Sequence, residues 1–281
     1  MAGIHRDSSG SRRSRRRVWL IGALVVLLVL GGVFVVLWRG SGAHEASTNE
    51  AKRRFEHTST SVKPPTAATL RPAAGVYLYR GTGTERLSLP PKTQHQGASM
   101  PATVTYRSDG CWTFRLDYNT HHWQTWVYCP RNGGLDELGG QTFERWDFVF
   151  TKYDSTSKFT CDPPSVAIRK GMHPGDEWKQ SCAGTSSGTK GGAVTSGPYT
   201  FVGDDTVTVG SERVPAYHFR QVRTLTGSQT GTQKADLWFS KQNGLPLRNV
   251  RNVRIRTDTI VGASTYTEQG NFQLTSLHPQ G

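Results

Sequence analysis

Few residues in this chain combine types and spacings that could do chemistry. Gly184-Thr185-Ser186-Ser187-Gly188 matches the G-x-S-x-G pattern of a nucleophilic serine. That elbow needs a strand before the serine and a helix after it. Here the surroundings are Gly, Ser and Thr, so the match reads as a coincidence within a loop. His121-His122 is the densest histidine pair. Neighbours on a strand point to opposite faces and do not readily share a metal, so the pair reads as turn and strand-surface histidines. Asp136-Glu137 and Asp204-Asp205 lack the loop repeat of oxygen ligands that calcium requires. No catalytic residue, metal site or cofactor is expected.

The four cysteines carry a clearer message. Cys111, Cys129, Cys161 and Cys182 are separated by 18, 32 and 21 residues. These spacings lack the C-x2-C pairs of a zinc site, which favours disulfides. Of the three pairings four cysteines allow, Cys111–Cys129 and Cys161–Cys182 are expected, because each pair flanks a local hairpin or loop. Such bridges imply an oxidising compartment.

The N-terminus agrees with that location. Arg12, Arg13, Arg15, Arg16 and Arg17 run into an uncharged, mostly aliphatic stretch from Val18 to Trp38, 21 residues long. At about 1.5 Å per residue it covers roughly 30 Å, a bilayer's hydrocarbon core. Trp19 and Trp38 stand at its ends, where indoles favour the membrane interface. The arginines keep the N-terminus cytoplasmic. A cleaved signal peptide, with Ser41-Gly42-Ala43 as its small-residue site, is the rival. The length of the apolar run favours a retained anchor. No cysteine precedes Cys111, which excludes a lipid-modified N-terminus.

These signals divide the chain into a basic cytoplasmic tail (1–17), a transmembrane helix (18–38), a flexible linker (39–72) and an extracytoplasmic β domain (73–281). The linker is rich in Ser, Thr, Ala, Lys, Arg and Pro, too polar to fold alone, although Ala51–Glu56 has a helical cast. The net charge is +13. Without the six arginines and Asp7 ahead of Val18, and without Arg39, 27 basic and 20 acidic residues of the 34 and 21 remain, or +7. That moderate excess suits an anionic lipid or wall polymer better than nucleic acid. The chain carries no signal of oligomeric state.

The outer domain reads as short strands separated by turns. Val76–Tyr79, Thr103–Tyr106, Cys111–Leu116, His122–Tyr128, Phe143–Phe150, Thr206–Val209, Val214–Thr224, Lys234–Phe239, Leu245–Arg256 and Ser264–Leu277 are candidates. Asp109-Gly110 and Asn243-Gly244 are tight-turn signals between such runs. Mainly β architecture follows, as an antiparallel sandwich or a half-barrel. The Gly/Ser-rich stretch 184–197 suggests a division into two sub-halves. In Leu245–Ile255 the apolar phase slips after Leu247 and again before Val253, which implies β-bulges.

Surface chemistry is the remaining candidate for function. Trp123 and Trp126 lie three apart, so they face opposite sides of a regular strand. One packs inward and the other is a candidate ligand contact. Arg248, Arg251, Arg254 and Arg256, with Arg220 and Arg223, make up a basic feature. Arg248, Arg254 and Arg256 share strand parity if no bulge intervenes, and form either a solvated face or a contact for anionic polymer or headgroups.

Val202-Gly203-Asp204-Asp205-Thr206-Val207-Thr208-Val209, the strand Val214–Arg220, Asp236-Leu237-Trp238-Phe239-Ser240 and Gly244-Leu245-Pro246 together have a distinctive cadence. The segment from Pro198 to about Ile255, with a final strand, resembles a bacterial β-rich envelope family of unknown function related to half-barrel lipoprotein carriers. The whole chain also resembles uncharacterised membrane-anchored proteins of high-GC Gram-positive bacteria. The resemblance implies a half-barrel fold and supplies no catalytic residues. The expected function is a non-catalytic, membrane-anchored envelope protein whose outer β domain binds a ligand or partner. A carrier or sensor of an apolar molecule such as a lipid is the alternative, and an envelope hydrolase the second.

Overall fold

Alternation along the strands builds the molecule. Trp112, Phe114, Leu116 and Tyr118 repeat every second residue and are all buried, as one face of a strand against a core requires. The computed structural model describes residues 42–58, 70–148, 150–259 and 262–280. Among the described residues thirteen strands follow a short helix: β1 (Gly75–Ser88), β2 (Pro91–His95), β3 (Ser99–Tyr106), β4 (Trp112–Asn119), β5 (His122–Arg131), β6 (Gly134–Asp147), β7 (Lys152–Ile168), β8 (Glu177–Ser186), β9 (Gly192–Val209), β10 (Glu212–Gly227), β11 (Gln229–Ser240), β12 (Pro246–Thr259) and β13 (Gly262–Leu274). Consecutive strands from β3 to β13 are neighbours, β1 joins β3, and β2 pairs with the far half of β1.

The first and last strands close the ring. β1 pairs antiparallel with β13 from Tyr79↔Leu274 to Leu87↔Tyr266. Twelve strands therefore form a closed antiparallel barrel, with β2 as a short flap on β1. This corrects the expected sandwich or half-barrel: the seam joins residues about as far apart as the domain allows, and local patterns do not encode it. The expected division at 184–197 is also absent. β8 and β9 pair through that stretch, from Cys182↔Thr195 to Thr185↔Gly192, and only a tight turn separates them. Both Asp109-Gly110 and Asn243-Gly244 lie in turns, between β3 and β4 and between β11 and β12.

Of the two slips expected in Leu245–Ile255, the one before Val253 is absent. β12 pairs with β13 without a break from Arg248 to Thr259. Leu247, Asn249, Arg251 and Val253 are buried in one phase, and Val250 faces out. Polar residues occupy inward positions there, so an apolar pattern misreads the phase. Next to the other expected slip an irregularity does occur: against β11, Leu247 is the extra residue between the pairs Trp238↔Arg248 and Phe239↔Pro246.

The barrel has two unlike halves. One end is packed with Tyr77, Met100, Leu135, Ile168, Val209, Leu245, Leu247 and Leu274. Burying each aliphatic side chain there contributes about 1.5–3 kcal/mol. Towards the other end the inward positions turn polar, and a ring of twelve strands is wider than side chains alone fill.

The stretch 39–72, expected as a tether, contains the helix α1 (Thr48–Thr58). Ser47 caps it: its hydroxyl accepts from the Glu50 amide at 3.4 Å, the S-x-x-E arrangement of a capping box. Ala51 is buried, and Arg54 forms an ion pair with Asp117 of β4, which also binds Arg115. Among the described residues no helix is long and apolar enough to cross a membrane. The expected transmembrane segment Val18–Trp38 lies outside the described residues.

Cys111–Cys129 and Cys161–Cys182 are the disulfides, joining β5 to the start of β4 and β8 to β7. Loop closure predicts about 3 kcal/mol for each. The double variant Cys161→Ala/Cys182→Ala is expected to melt about 6–12 °C lower. Thermal unfolding followed by circular dichroism checks this.

Candidate functional site

The polar half of the barrel interior is built on cross-strand register. Glu85 of β1 stands directly opposite Glu268 of β13 at the closing seam. Like charges in that position repel, and both carboxylates are buried. Four neighbours neutralise or bridge them. His122 Nδ1 donates to Glu85 Oε1 at 2.6 Å, and Arg251 Nε donates to Glu268 Oε1 at 2.6 Å. Gln94 Nε2 donates to Glu85 at 2.6 Å. Gln96 Nε2 reaches both carboxylates, at 3.2 and 2.6 Å.

Two glycines make the bridge fit. Gly83 and Gly270 face each other across the seam, and a Cβ on either would lie 2.0 or 2.5 Å from Gln96 Oε1. A side chain at these positions would expel the amide that joins the two carboxylates.

Burial alone would lower the His122 pKa, but the Glu85 charge and hydrogen bond outweigh it and raise it. Burial would likewise raise the Glu85 carboxyl, and the His122 charge with three side-chain donors lowers it instead. Arg251 is held cationic by Glu268 against its own desolvation. Its Nη1 donates to Gln124 at 2.6 Å, and its guanidinium lies 4.5 Å from the Tyr118 ring centre. Oxygen atoms of Glu85 and Glu268 and a nitrogen of His122 lie within 4.8 Å of one another, a spacing metals accept. The carboxylates are already engaged by amide, imidazole, guanidinium and the Tyr266 hydroxyl, and Arg251 would repel a cation. The cluster therefore reads as a charge-balanced network.

Beside it lies a chamber of about 210 Å³. Trp126, Tyr128, Tyr199 and Phe239 form its apolar portion, and Gln124, Thr142, Glu144 and Ser157 its polar portion. Glu144 is the cross-strand partner of His122. Desolvation raises its carboxyl to about 7, against the partial offset of His122. A second buried ion pair, Arg223 with Glu137 at 3.0 Å, stands on the chamber wall with Gln180. His122 Nε2 and the Tyr118 hydroxyl are buried without a hydrogen-bond partner among the described residues. Hydrogen-bonding capacity is thus unused next to the chamber.

The sequence-derived candidates distribute over both faces. Trp126 points inward and lines the chamber. Trp123 faces out, stacked on Phe143 with ring centres 5.7 Å apart and under the Arg115 guanidinium at 4.1 Å. Arg248, Arg254 and Arg256 are all exposed on the outer face of β12. Arg248 lies over Trp238 at 4.7 Å, and Arg256 pairs with Asp258 at 3.4 Å. Arg254 lines a separate outer groove.

Other expectations need correction. His122 is not a surface histidine but fully buried, because its strand phase carries Gln124, Trp126 and Tyr128 inward with it. Ser186 ends β8 and shares a hydrogen bond with Ser155 at 3.2 Å. Asp204 pairs with Lys241 at 2.6 Å, and Asp205 accepts from Trp238 Nε1 at 2.7 Å.

Sequence reading missed Glu85 and Glu268, and it set Arg251 and Arg223 with the surface arginines and Glu137 beside a turn, whereas all three are buried in ion pairs. A signal was available. The parity that set Arg248, Arg254 and Arg256 on one face puts Arg251 on the other, with Val253. Glu268 likewise shares parity with Phe272 and Leu274.

No family model matches the chain, and no curated protein matches its sequence. One solved structure similar to it is the hypothetical lipoprotein YmcC from Escherichia coli (K12), at 12% identity and a TM-score of 0.32, covering 83% of this chain and 100% of that one. At that score the likeness carries no argument.

Proposed function

We propose that the protein is a non-catalytic binding module of the cell envelope, anchored through Val18–Trp38 with its barrel outside the membrane. The barrel holds a small amphiphilic molecule in its interior chamber. One observation carries this reading: a cavity of about 210 Å³ with an aromatic portion and a polar portion, flanked by two buried ion pairs. Pockets for drug-sized ligands run about 300–1,000 Å³, so the occupant is small. The charged and amide lining disfavours a wholly apolar lipid, because burying those groups against hydrocarbon costs free energy. The two disulfides and the arginine cluster before Val18 support the extracytoplasmic placement. The hydrolase reading finds little support, since Ser186 bonds to a serine and not to a base.

Mass spectrometry of organic extracts from the purified full-length protein tests the proposal. Wild type should release a small molecule in near-stoichiometric amount. Thr142→Trp, which fills the chamber, should lose it while keeping the circular dichroism spectrum. Identical extracts from the two proteins would refute the interior site.

A further inference from the structure

We propose that the outer face of β1, β13, β12 and β11 is a binding groove for a linear polyanion carrying phosphate groups along its backbone. The site is independent of the interior chamber, on the opposite side of the barrel wall.

The groove measures about 1080 Å³, and the barrel's register arranges its floor in rows. One row runs Arg86–Thr267–Arg254–Thr232 across β1, β13, β12 and β11. The next runs Thr84–Gln269–Asn252–Lys234. Arg86, Arg254 and Lys234 are exposed, and no ion pair engages them among the described residues. Asp236 is the acidic side chain on the groove wall, and it is already bound by His218 at 2.9 Å and Arg220 at 3.3 Å. The groove therefore presents net positive charge with a surround of hydroxyl and amide groups, which serve as neutral hydrogen-bonding partners.

Geometry selects the ligand class. Arg86 and Arg254 flank Thr267, so their backbones stand two strand spacings apart, about 10 Å. A single compact anion does not engage all three cations at hydrogen-bond distance without bending every side chain inward. A chain with repeated charges meets each in turn, and arginine's fork matches phosphate oxygens bidentately.

Fluorescence anisotropy of labelled linear polyphosphate with the full-length protein provides the test. Three phosphate contacts of about 0.7 released counterions each predict a log–log salt slope of roughly −2, or about a 20-fold loss between about 50 and 200 mM salt. Arg254→Gln should reduce the slope by about 0.7. Arg86→Gln/Lys234→Gln/Arg254→Gln should abolish binding, and Lys179→Gln, exposed on β8 outside the groove, should leave it unchanged. Retained binding in the triple variant, or equal weakening by Lys179→Gln, would overturn the site. So would a failure of wild type to bind polyphosphate. Wild-type preference for phosphatidylglycerol vesicles over phosphatidylcholine vesicles, lost in the triple variant while polyphosphate binding persists, would reassign the face to membrane and overturn the proposal.

Discussion

Arg251→Met is expected to destabilise the barrel by about 3–5 kcal/mol, because removing one partner of a buried ion pair leaves the other uncompensated. Glu268 would keep its place opposite Glu85, with one cation, His122, left for two buried carboxylates. The lost contacts with Gln124 and the Tyr118 ring act in the same direction. For a domain of this size the change corresponds to a melting point lower by roughly 6–20 °C. Urea unfolding of wild type and variant measures it. The double variant Arg251→Met/Glu268→Gln separates charge from packing: removing both charges should recover much of the loss, since a buried pair is often replaceable by neutral groups. If the single variant loses less than about 1 kcal/mol, the network does not hold the seam together. If the double variant is as unstable as the single, the loss is one of packing.

The second large effect is on pH. Glu144 has its carboxyl raised from 4.5 to about 7 by desolvation. Between those values the folded protein holds a proton that the unfolded chain has released, so stability falls as pH rises through the window. The chamber is partly open to water, so the loss is at most about 3 kcal/mol. His122, raised above 6.5 by Glu85 against its burial, adds in the same direction. Its stabilisation is complete below 6.5 and is lost as pH passes its folded value. Glu85 acts oppositely: its lowered pKa stabilises above 4.5 and fails as pH falls through the folded value. Melting temperature should therefore peak in mild acid and decline towards pH 8. Glu144→Gln should flatten the limb between 4.5 and 7 and melt higher than wild type at pH 8. Parallel curves for the two proteins would show that Glu144 is hydrated and unperturbed.

These two effects rest on residues that were hidden in the sequence for a definite reason. Alternation separates the two faces of a strand but not which face is inside. In β12, Arg251 and Asn249 interrupt an inward phase of Leu247, Val253 and Ile255, and apolar periodicity alone reads the interruption as a bulge. His122 looked superficial because its neighbour His121 is equally polar and the turn lies next to it. Its burial depends on Tyr118, whose ring lies 4.5 Å away, and on Glu85, 37 residues earlier in the chain.

Local chemistry determined much else. Asp109-Gly110 and Asn243-Gly244 set turns because glycine accepts the positive φ found at both glycines. Hairpin proximity selected Cys111–Cys129 and Cys161–Cys182, since each bridge spans neighbouring strands. Parity placed Trp123 and Trp126 on opposite faces, and Arg248, Arg254 and Arg256 on one. These are short-range relations, and two-residue periodicity and turn geometry suffice for them. Closure of β1 on β13 was decided only by the tertiary structure. That seam pairs Glu85 with Glu268, makes the inner faces into a chamber and the outer faces into a groove, and depends on contacts between opposite ends of the domain that no local pattern specifies.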